Sequence, residues 1–432
     1  MTRTSLQHEL PRNQIGDHLD FVVQTMREMS SQTDPEEMVR AYVRRVEQIL
    51  PSDKRMSLSR RGLEYPEFRI TRFSGWSEMI NPWKQKDRLP RLQGGLLADL
   101  IYGNTPRILD QVSLNPDDPA YEYFADAGSL LAIPLFDGGE GINMVVLSRS
   151  KEFGFEHDRL PDWVWMSNLF GRATHTLVIA EELKTAYKAL DQEMESVGRI
   201  QRNLLPEKLP RIPTLDLAAY YQTSQRAGGD HYECIELPDG RWGLLIADVS
   251  GHGTSAAVIA AITHGLATAY NGPAFPPSRL LTHLNSHLVQ RYTNRIGAFV
   301  TLFYGIYDPA THLITYSSAG HNPPRLKRCR DGGISSLDRA QGLPLGITED
   351  ADYHDAEYQL VPSDQLILYT DGITEAMNGK NGMFGVERLD QVLETCMRTA
   401  DGLINSVIEA VNEFAAGHPA DDDRTMIVAR VS

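Results

Sequence analysis

Trp242-Gly243-Leu244-Leu245-Ile246-Ala247-Asp248-Val249-Ser250-Gly251-His252-Gly253 is an apolar run that ends on an aspartate and then breaks into glycines. A short apolar run bounded by turn residues suits a buried strand. Asp248 then stands where the strand leaves the core. Leu366 to Tyr369 repeats the pattern and runs into Thr370-Asp371-Gly372. Two more acidic clusters flank these: Gly228-Gly229-Asp230, and Asp421-Asp422-Asp423-Arg424-Thr425. A lone Asp-Gly pair usually marks a turn. Several carboxylates at the ends of converging strands are different, because they cannot share a dry site unless a cation neutralises them. Hard oxygen ligands suit Mg2+ or Mn2+, and two such ions can position and ionise a water for attack on phosphorus.

Five stretches carry a family resemblance: Arg226-Ala-Gly-Gly-Asp-His-Tyr-Glu233, Ala247-Asp-Val-Ser-Gly-His-Gly253, Ser318-Ala-Gly-His-Asn-Pro-Pro324, Leu368-Tyr-Thr-Asp-Gly-Ile-Thr-Glu-Ala376 and Asp422-Asp-Arg-Thr425. With them, region 207–432 resembles the metal-dependent PPM-type (PP2C-like) serine/threonine phosphatases, in the bacterial branch of the sporulation stage II E and sigma-B regulator phosphatases. Any one motif recurs by chance; five in family order are specific. The resemblance implies Asp230, Asp248, Asp371 and Asp422 as the catalytic set and two ions, Mn2+ or Mg2+. Asp248 would bridge the ions. Asp230 and the backbone carbonyl of Val249 would hold one, and Asp371 and Asp422 the other. The family's last motif pairs the ligand acid with Asn or Asp and then x-Thr, which selects Asp422 over Asp421 and Asp423. The implied reaction is hydrolysis of phosphoserine or phosphothreonine on a regulatory protein of the anti-sigma-factor antagonist type.

Two positions depart from the family pattern. The first motif usually reads Gly-Gly-Asp-aromatic-Tyr-Asp, whereas here His231 and Glu233 replace the aromatic and the second acid. Arg226 is near enough to be a phosphate ligand, though a plain surface arginine is the simpler reading. His252 and His321 fall inside family motifs and read as loop structure. His283 and His287 lie at i, i+4 on a helix without a third ligand, which reads as a polar helix face. Gly-Gly-Asp also occurs in diguanylate cyclases, but Glu-Phe does not follow Asp230 and the later acidic clusters would go unexplained. A catalytically weak or inactive partner-binding regulator on the same fold is the alternative function.

The chain has 432 residues, enough for two or three domains. A net charge of −15 argues against nucleic acid and anionic membrane as partners. Cys234, Cys329 and Cys396 match no ligand spacing and read as separate thiols in a reducing cytoplasm. No apolar run is long enough for a transmembrane helix.

The domain reading is a polar tail over 1–16, a sensor domain over 17–180, a helical linker over 181–206 and the phosphatase domain over 207–432. Asp34, Pro35 and two glutamates make a helix start. Leu130 to Phe136, a Gly-rich loop and Ile142 to Leu147 make a hairpin. Together with the flanking helices this resembles a GAF-like sensor domain, with a PAS-like domain as its rival. It would take an unknown small ligand or partner, and it has no cysteine for a chromophore. Leu183, Tyr187, Leu190, Met194, Val197, Gln201 and Leu204 follow the 4-3 spacing of a coiled coil, which predicts a homodimer through residues 183–204 with Gln201 as the polar seam position. From 207 on, strands joined by hairpins and helices in pairs predict an α+β fold. The resemblance makes that fold a β-sandwich flanked by helices.

Overall fold

The computed structural model describes residues 12–270, 276–293 and 297–432. They divide into two compact units, one up to Tyr187 and one from Lys188 to Ser432.

In the first unit, α1 (Arg12–Ser31) begins inside the expected polar tail, so residues 12–16 are helical. The tail reading for residues 1–11 lies outside the described residues. α2 (Pro35–Ile49) starts as its sequence chemistry dictates: the Asp34 carboxylate accepts from the backbone N–H of Glu36 and Glu37 at 2.8 and 3.0 Å. Then come β1 (Lys54–Ser59), β2 (Glu67–Phe73), β3 (Arg91–Gln93), α3 (Gly95–Gly103), β4 (Arg107–Leu109), α4 (Tyr121–Phe124), β5 (Ser129–Asp137) and β6 (Glu140–Arg149). The strands form one antiparallel sheet in the order β3-β2-β1-β6-β5-β4. Side chains alternate across a pleated strand. Leu130, Ala132, Met144 and Val146 therefore pack with Leu97 and Ile101 of α3. Leu131, Ile133, Val145 and Leu147 pack on the other face with Met38 and Val46 of α2 and with Trp163 and Phe170. The predicted hairpin is β5–β6.

The closing helix and the linker are one element, α5 (Leu160–Arg202). Its middle presents the expected apolar stripe to solvent: Leu183, Tyr187 and Leu190 are 54, 64 and 56% exposed. Its end does not. Gln201 is 3% exposed, buried against its own chain, so it is no seam position. Over so short a run a 3.5-residue period and the 3.6-residue period of a helix packed on its own domain coincide.

The second unit contains β7 (Leu215–Gln222), β8 (His231–Glu236), β9 (Trp242–Val249), α6 (Thr254–Thr268), α7 (Pro277–Leu288), β10 (Val300–Asp308), β11 (Leu313–Ala319), β12 (Arg325–Lys327), β13 (Ile334–Ser336), β14 (Gln341–Gly342), β15 (Ala356–Gln359), β16 (Gln365–Tyr369), α8 (Asp371–Thr374), α9 (Gly385–Leu393), α10 (Ala400–Ala415) and β17 (Arg424–Val431). One sheet runs β14-β11-β10-β9-β8, with β15 also on β11; the other runs β13-β12-β16-β17-β7. Leu244, Ile246, Phe303 and Tyr316 of the first meet Leu366, Leu368, Ile427 and Ala429 of the second in a shared core. The opposite pleats face helices: Leu245, Ala247, Leu302 and Tyr304 pack with α6 and α7, and Ile367, Tyr369, Met426 and Val428 with α9 and α10. The α+β reading holds, and the sheets stack as the helix-flanked sandwich the resemblance implies.

Cys329 and Cys396 are joined in a disulfide, with Cα atoms 5.8 Å apart. This corrects the reading of three separate thiols; a sequence separation of 67 residues gives no sign of such a pairing. Cys234 is free and half-buried, and burial pushes its thiol up to about 12. Among the described residues, no helix is long and apolar enough to cross a membrane.

Candidate active site

Four chain segments deliver the predicted aspartates to one end of the sandwich. Asp230 directly precedes β8, and Asp248 lies next to the end of β9. These strands pair with His231 opposite Ala247, so the two acids sit at the same edge. Asp371 opens α8 directly after β16, and Asp422 stands just before β17. β16 and β17 pair with Tyr369 opposite Met426, and the Thr370 N–H donates to the Thr425 carbonyl at 3.0 Å. Asp371 and Asp422 therefore share the facing edge.

The electrostatics match the geometry. Burial pushes the Asp248 carboxyl far above the usual carboxylate range, and the charges of Asp230, Asp371, Asp422 and Asp423 add to the shift. Asp230 is raised too, first by burial and then by Asp423 and Asp371, against the hydrogen bonds from Thr425 and Thr370. Asp371 rises to about 6, through burial and then Asp422 and Glu375. Acids held this far toward neutrality are what a low-dielectric carboxylate cluster shows without a counter-charge.

Asp230 is 1% exposed. Its Oδ2 accepts from Thr425 Oγ1 at 2.5 Å and Thr370 Oγ1 at 2.7 Å. Its Oδ1 is buried with no hydrogen-bond partner. A buried carboxylate oxygen left without a partner is costly and fits a cation. No three of the four aspartates bring carboxylate oxygens within 4.8 Å of one another. The four acids therefore do not close on a single point.

Close backbone packing shapes the rim. A Cβ on Gly229 would lie 2.8 Å from the Val249 carbonyl, the backbone ligand named from the sequence. One on Gly372 would lie 2.0 Å from the Asp423 carbonyl, so only glycine lets α8 start there.

Several contributors were not read from the sequence. Asp423, set aside in favour of Asp422, is 2% exposed. Its Oδ1 accepts from the Ser224 N–H at 2.7 Å and its Oδ2 from the Gly229 N–H at 2.7 Å, so it clamps the loop leading into Asp230. Asp422 is half-buried, and its Oδ1 accepts from the Asp423 N–H at 2.8 Å. The Gln201 amide faces the Tyr221 hydroxyl, and its Nε2 donates to the Asp230 backbone carbonyl at 3.1 Å. The threonines stood inside the Thr-Asp-Gly and Asp-Arg-Thr motifs, so that signal was available. The spacing of Gln201 gave none.

The other singled-out residues resolve plainly. Arg226 pairs with Asp191 at 2.9 and 3.0 Å, so its guanidinium is engaged on the surface. Exposed His252 is held by Gln225 Nε2 at 2.8 Å from its Nδ1. Buried His321 bonds Thr301 Oγ1 at 2.9 Å, and burial pulls its pKa down to about 4, so the ring is neutral. His283 and His287 stack on each other, with His283 also against Tyr270, and gather no carboxylate.

Comparison with known proteins places the domain. Residues 238–432 match the family described as Stage II sporulation protein E (SpoIIE). The phosphoserine phosphatase RsbU of Bacillus subtilis is 28% identical over 251 residues, which cover 58% of this chain and 73% of RsbU. The phosphoserine phosphatase RsbP of Bacillus subtilis is 31% identical over 186 residues, 43% of this chain and 45% of RsbP. Among solved structures, the SiaA-PP2C domain of Pseudomonas aeruginosa superposes with a TM-score of 0.50 at 19% identity, covering 57% of this chain and 99% of that domain. That last likeness shows the fold alone.

Proposed function

We propose that this chain, whose C-terminal half is a SpoIIE/PP2C-type phosphatase domain related to RsbU, RsbP and SpoIIE, is a metal-dependent protein serine/threonine phosphatase. The observation that carries the reading is the buried, partnerless Oδ1 of Asp230 in a cluster of acids pushed toward neutrality. Asp248 would lie between two Mn2+ or Mg2+ ions, with Asp230 and the Val249 carbonyl toward one and Asp371 and Asp422 toward the other. When bound, the ions supply charge for the phosphoryl oxygens and lower the pKa of a water.

The chain's own residues set the geometry. Thr370 and Thr425 hold Oδ2 of Asp230 and leave Oδ1 without a partner. Gln201 fixes the backbone of the same residue, and Asp423 fixes the loop before it. The site is built of acids, so the ions would recognise the phosphate. That favours phosphoserine and phosphothreonine on a folded regulatory protein, of the anti-sigma-factor antagonist type. With Mn2+ present, phosphoserine and phosphothreonine peptides should be hydrolysed at least about tenfold faster than phosphotyrosine peptides, a difference of ~1.4 kcal/mol in barrier. A preference for phosphotyrosine in parallel phosphate-release assays would sink the substrate assignment.

The first unit fits a GAF-like sensor that gates this activity. Its antiparallel sheet carries helices on both faces, and a cavity of about 500 Å3 is lined by residues including Tyr42, Arg61, Arg69, Arg72, Asn168 and His175. Arg61 and His175 face Asp137, and Arg72 pairs with Glu36, so the lining carries both signs of charge. Gln201, in the last turn of α5, bonds the Asp230 carbonyl. Leu183, Tyr187 and Leu190 are the exposed stripe through which two copies would pair. Leu183→Glu with Leu190→Glu should turn a dimer into a monomer by sedimentation at micromolar concentration, without lowering the melting temperature of the C-terminal unit. A monomeric wild type would remove the dimer from the scheme.

A further inference from the structure

β8 and α6 bring together three side chains that the aspartate site does not use. His231 and Glu233 are two apart on β8 and so project from the same face of the strand. His264 comes from α6, near its C-terminal end. The His264 Nδ1 lies 3.2 Å from the His231 Nε2 and 3.3 Å from the Glu233 Oε2, and the last two atoms are 3.7 Å apart. Among the described residues this is the one group of three or more His, Cys, Asp or Glu side chains whose ligand atoms lie within 4.8 Å of one another. The Glu233 Oε2 is buried and accepts no hydrogen bond, although two imidazole nitrogens face it. His231 is 2% exposed. The His264 Nδ1 and His231 Nε2 are within hydrogen-bond distance of each other, and both face the Glu233 Oε2.

From this geometry we infer that His231, Glu233 and His264 form a transition-metal site of the Zn2+ class, separate from the aspartate cluster. A tetrahedral ion with bonds of about 2.0–2.1 Å holds its ligand atoms roughly 3.4 Å apart; the two edges at His264 are 3.2 and 3.3 Å, and the His231–Glu233 edge, at 3.7 Å, needs a small closure. Two imidazoles and one carboxylate are the borderline donor set that selects Zn2+ over Mg2+. The aspartates opposite are hard oxygen donors, so the two sites sort different ions. Three protein ligands leave a fourth position for water.

The placement gives the site a consequence. β8 begins directly after Asp230, and α6 follows the short loop from Ser250 to Gly253 that leaves β9 just after Asp248. An ion joining β8 to α6 therefore ties together the two segments that deliver Asp230 and Asp248. The departures noted in the first motif, His for an aromatic and Glu for Asp, are two of the three ligands. The third lies 31 positions beyond Glu233, where no spacing rule connects it.

The test uses the full chain, stripped of metal and then saturated with Mg2+ to occupy the aspartates. Calorimetric titration with Zn2+ should show one ion per chain. Glu233→Gln, which keeps the side-chain shape, and His264→Ala should each weaken that binding by more than the ~10–100-fold that loss of an outer hydrogen-bond partner costs. Wild-type protein loaded with Co2+ should show the intense visible absorption of a four-coordinate nitrogen and oxygen site. That reading does not depend on whether a variant folds. Absence of Zn2+ binding in the presence of Mg2+, unchanged binding in both variants, or a weak six-coordinate Co2+ spectrum would each overturn the assignment.

Discussion

Asp248→Ala should lower phosphoserine hydrolysis by on the order of 10²–10³-fold, the loss expected when several kcal/mol of ion-mediated charge stabilisation is removed. The reason is position. Asp248 is the acid raised by the charges of all three other predicted ligands and of Asp423, so it stands at the centre of the group. Removing it leaves neither ion with a full ligand set. Its effect on folding should be opposite in sign. A buried carboxyl crowded by like charges destabilises the metal-free fold, so Asp248→Ala without metal should melt no lower than wild type. Steady-state rates on a phosphoserine peptide and thermal melts in chelator, read on the same preparations, check both halves. Activity within about threefold of wild type would mean that Asp248 binds no catalytic ion.

The neighbouring acids Asp422 and Asp423 should separate in the reverse sense. Asp423→Ala strands the buried N–H of Gly229 and that of Ser224, each bonded at 2.7 Å. An abandoned buried donor costs about 1–3 kcal/mol, so the pair should cost about 2–6 kcal/mol and lower Tm by on the order of 5–20 °C. Asp422→Ala removes only an acceptor for the adjacent Asp423 N–H. It should change Tm by about 3 °C or less while lowering activity on the order of a hundredfold. If Asp422→Ala proves the unstable variant and Asp423→Ala the stable, inactive one, the roles of the two acids are exchanged.

What the sequence made legible was local. Apolar runs that end on Asp248 and before Asp371 can be read as strands with their exits, because strand burial and turn chemistry are written in neighbouring residues. The strands β12, β13 and β14, two or three residues each, carry no such pattern. Nor does local spacing mark where α7 gives way to a π-helical turn at Val289–Thr293. The larger omissions are contacts between distant positions. Gln201 reads as a coiled-coil seam until Tyr221 and Asp230 fold against it. The family motif separates Asp422 from Asp423 as the ligand, but nothing local shows that Asp423 turns inward onto Gly229. Cys329 and Cys396 meet only because the fold brings them together.

The central claim is that buried acids make a phosphatase by holding divalent ions. Its most direct measurement is phosphate release from a phosphoserine protein by enzyme dialysed against EDTA, before and after Mn2+ is restored. The account predicts no release above background in chelator and recovery as Mn2+ is added. It also predicts that recovery is lost in Asp230→Asn, whose Oδ1 is the buried oxygen left without a partner. Full activity in EDTA, or full recovery in Asp230→Asn, would contradict it.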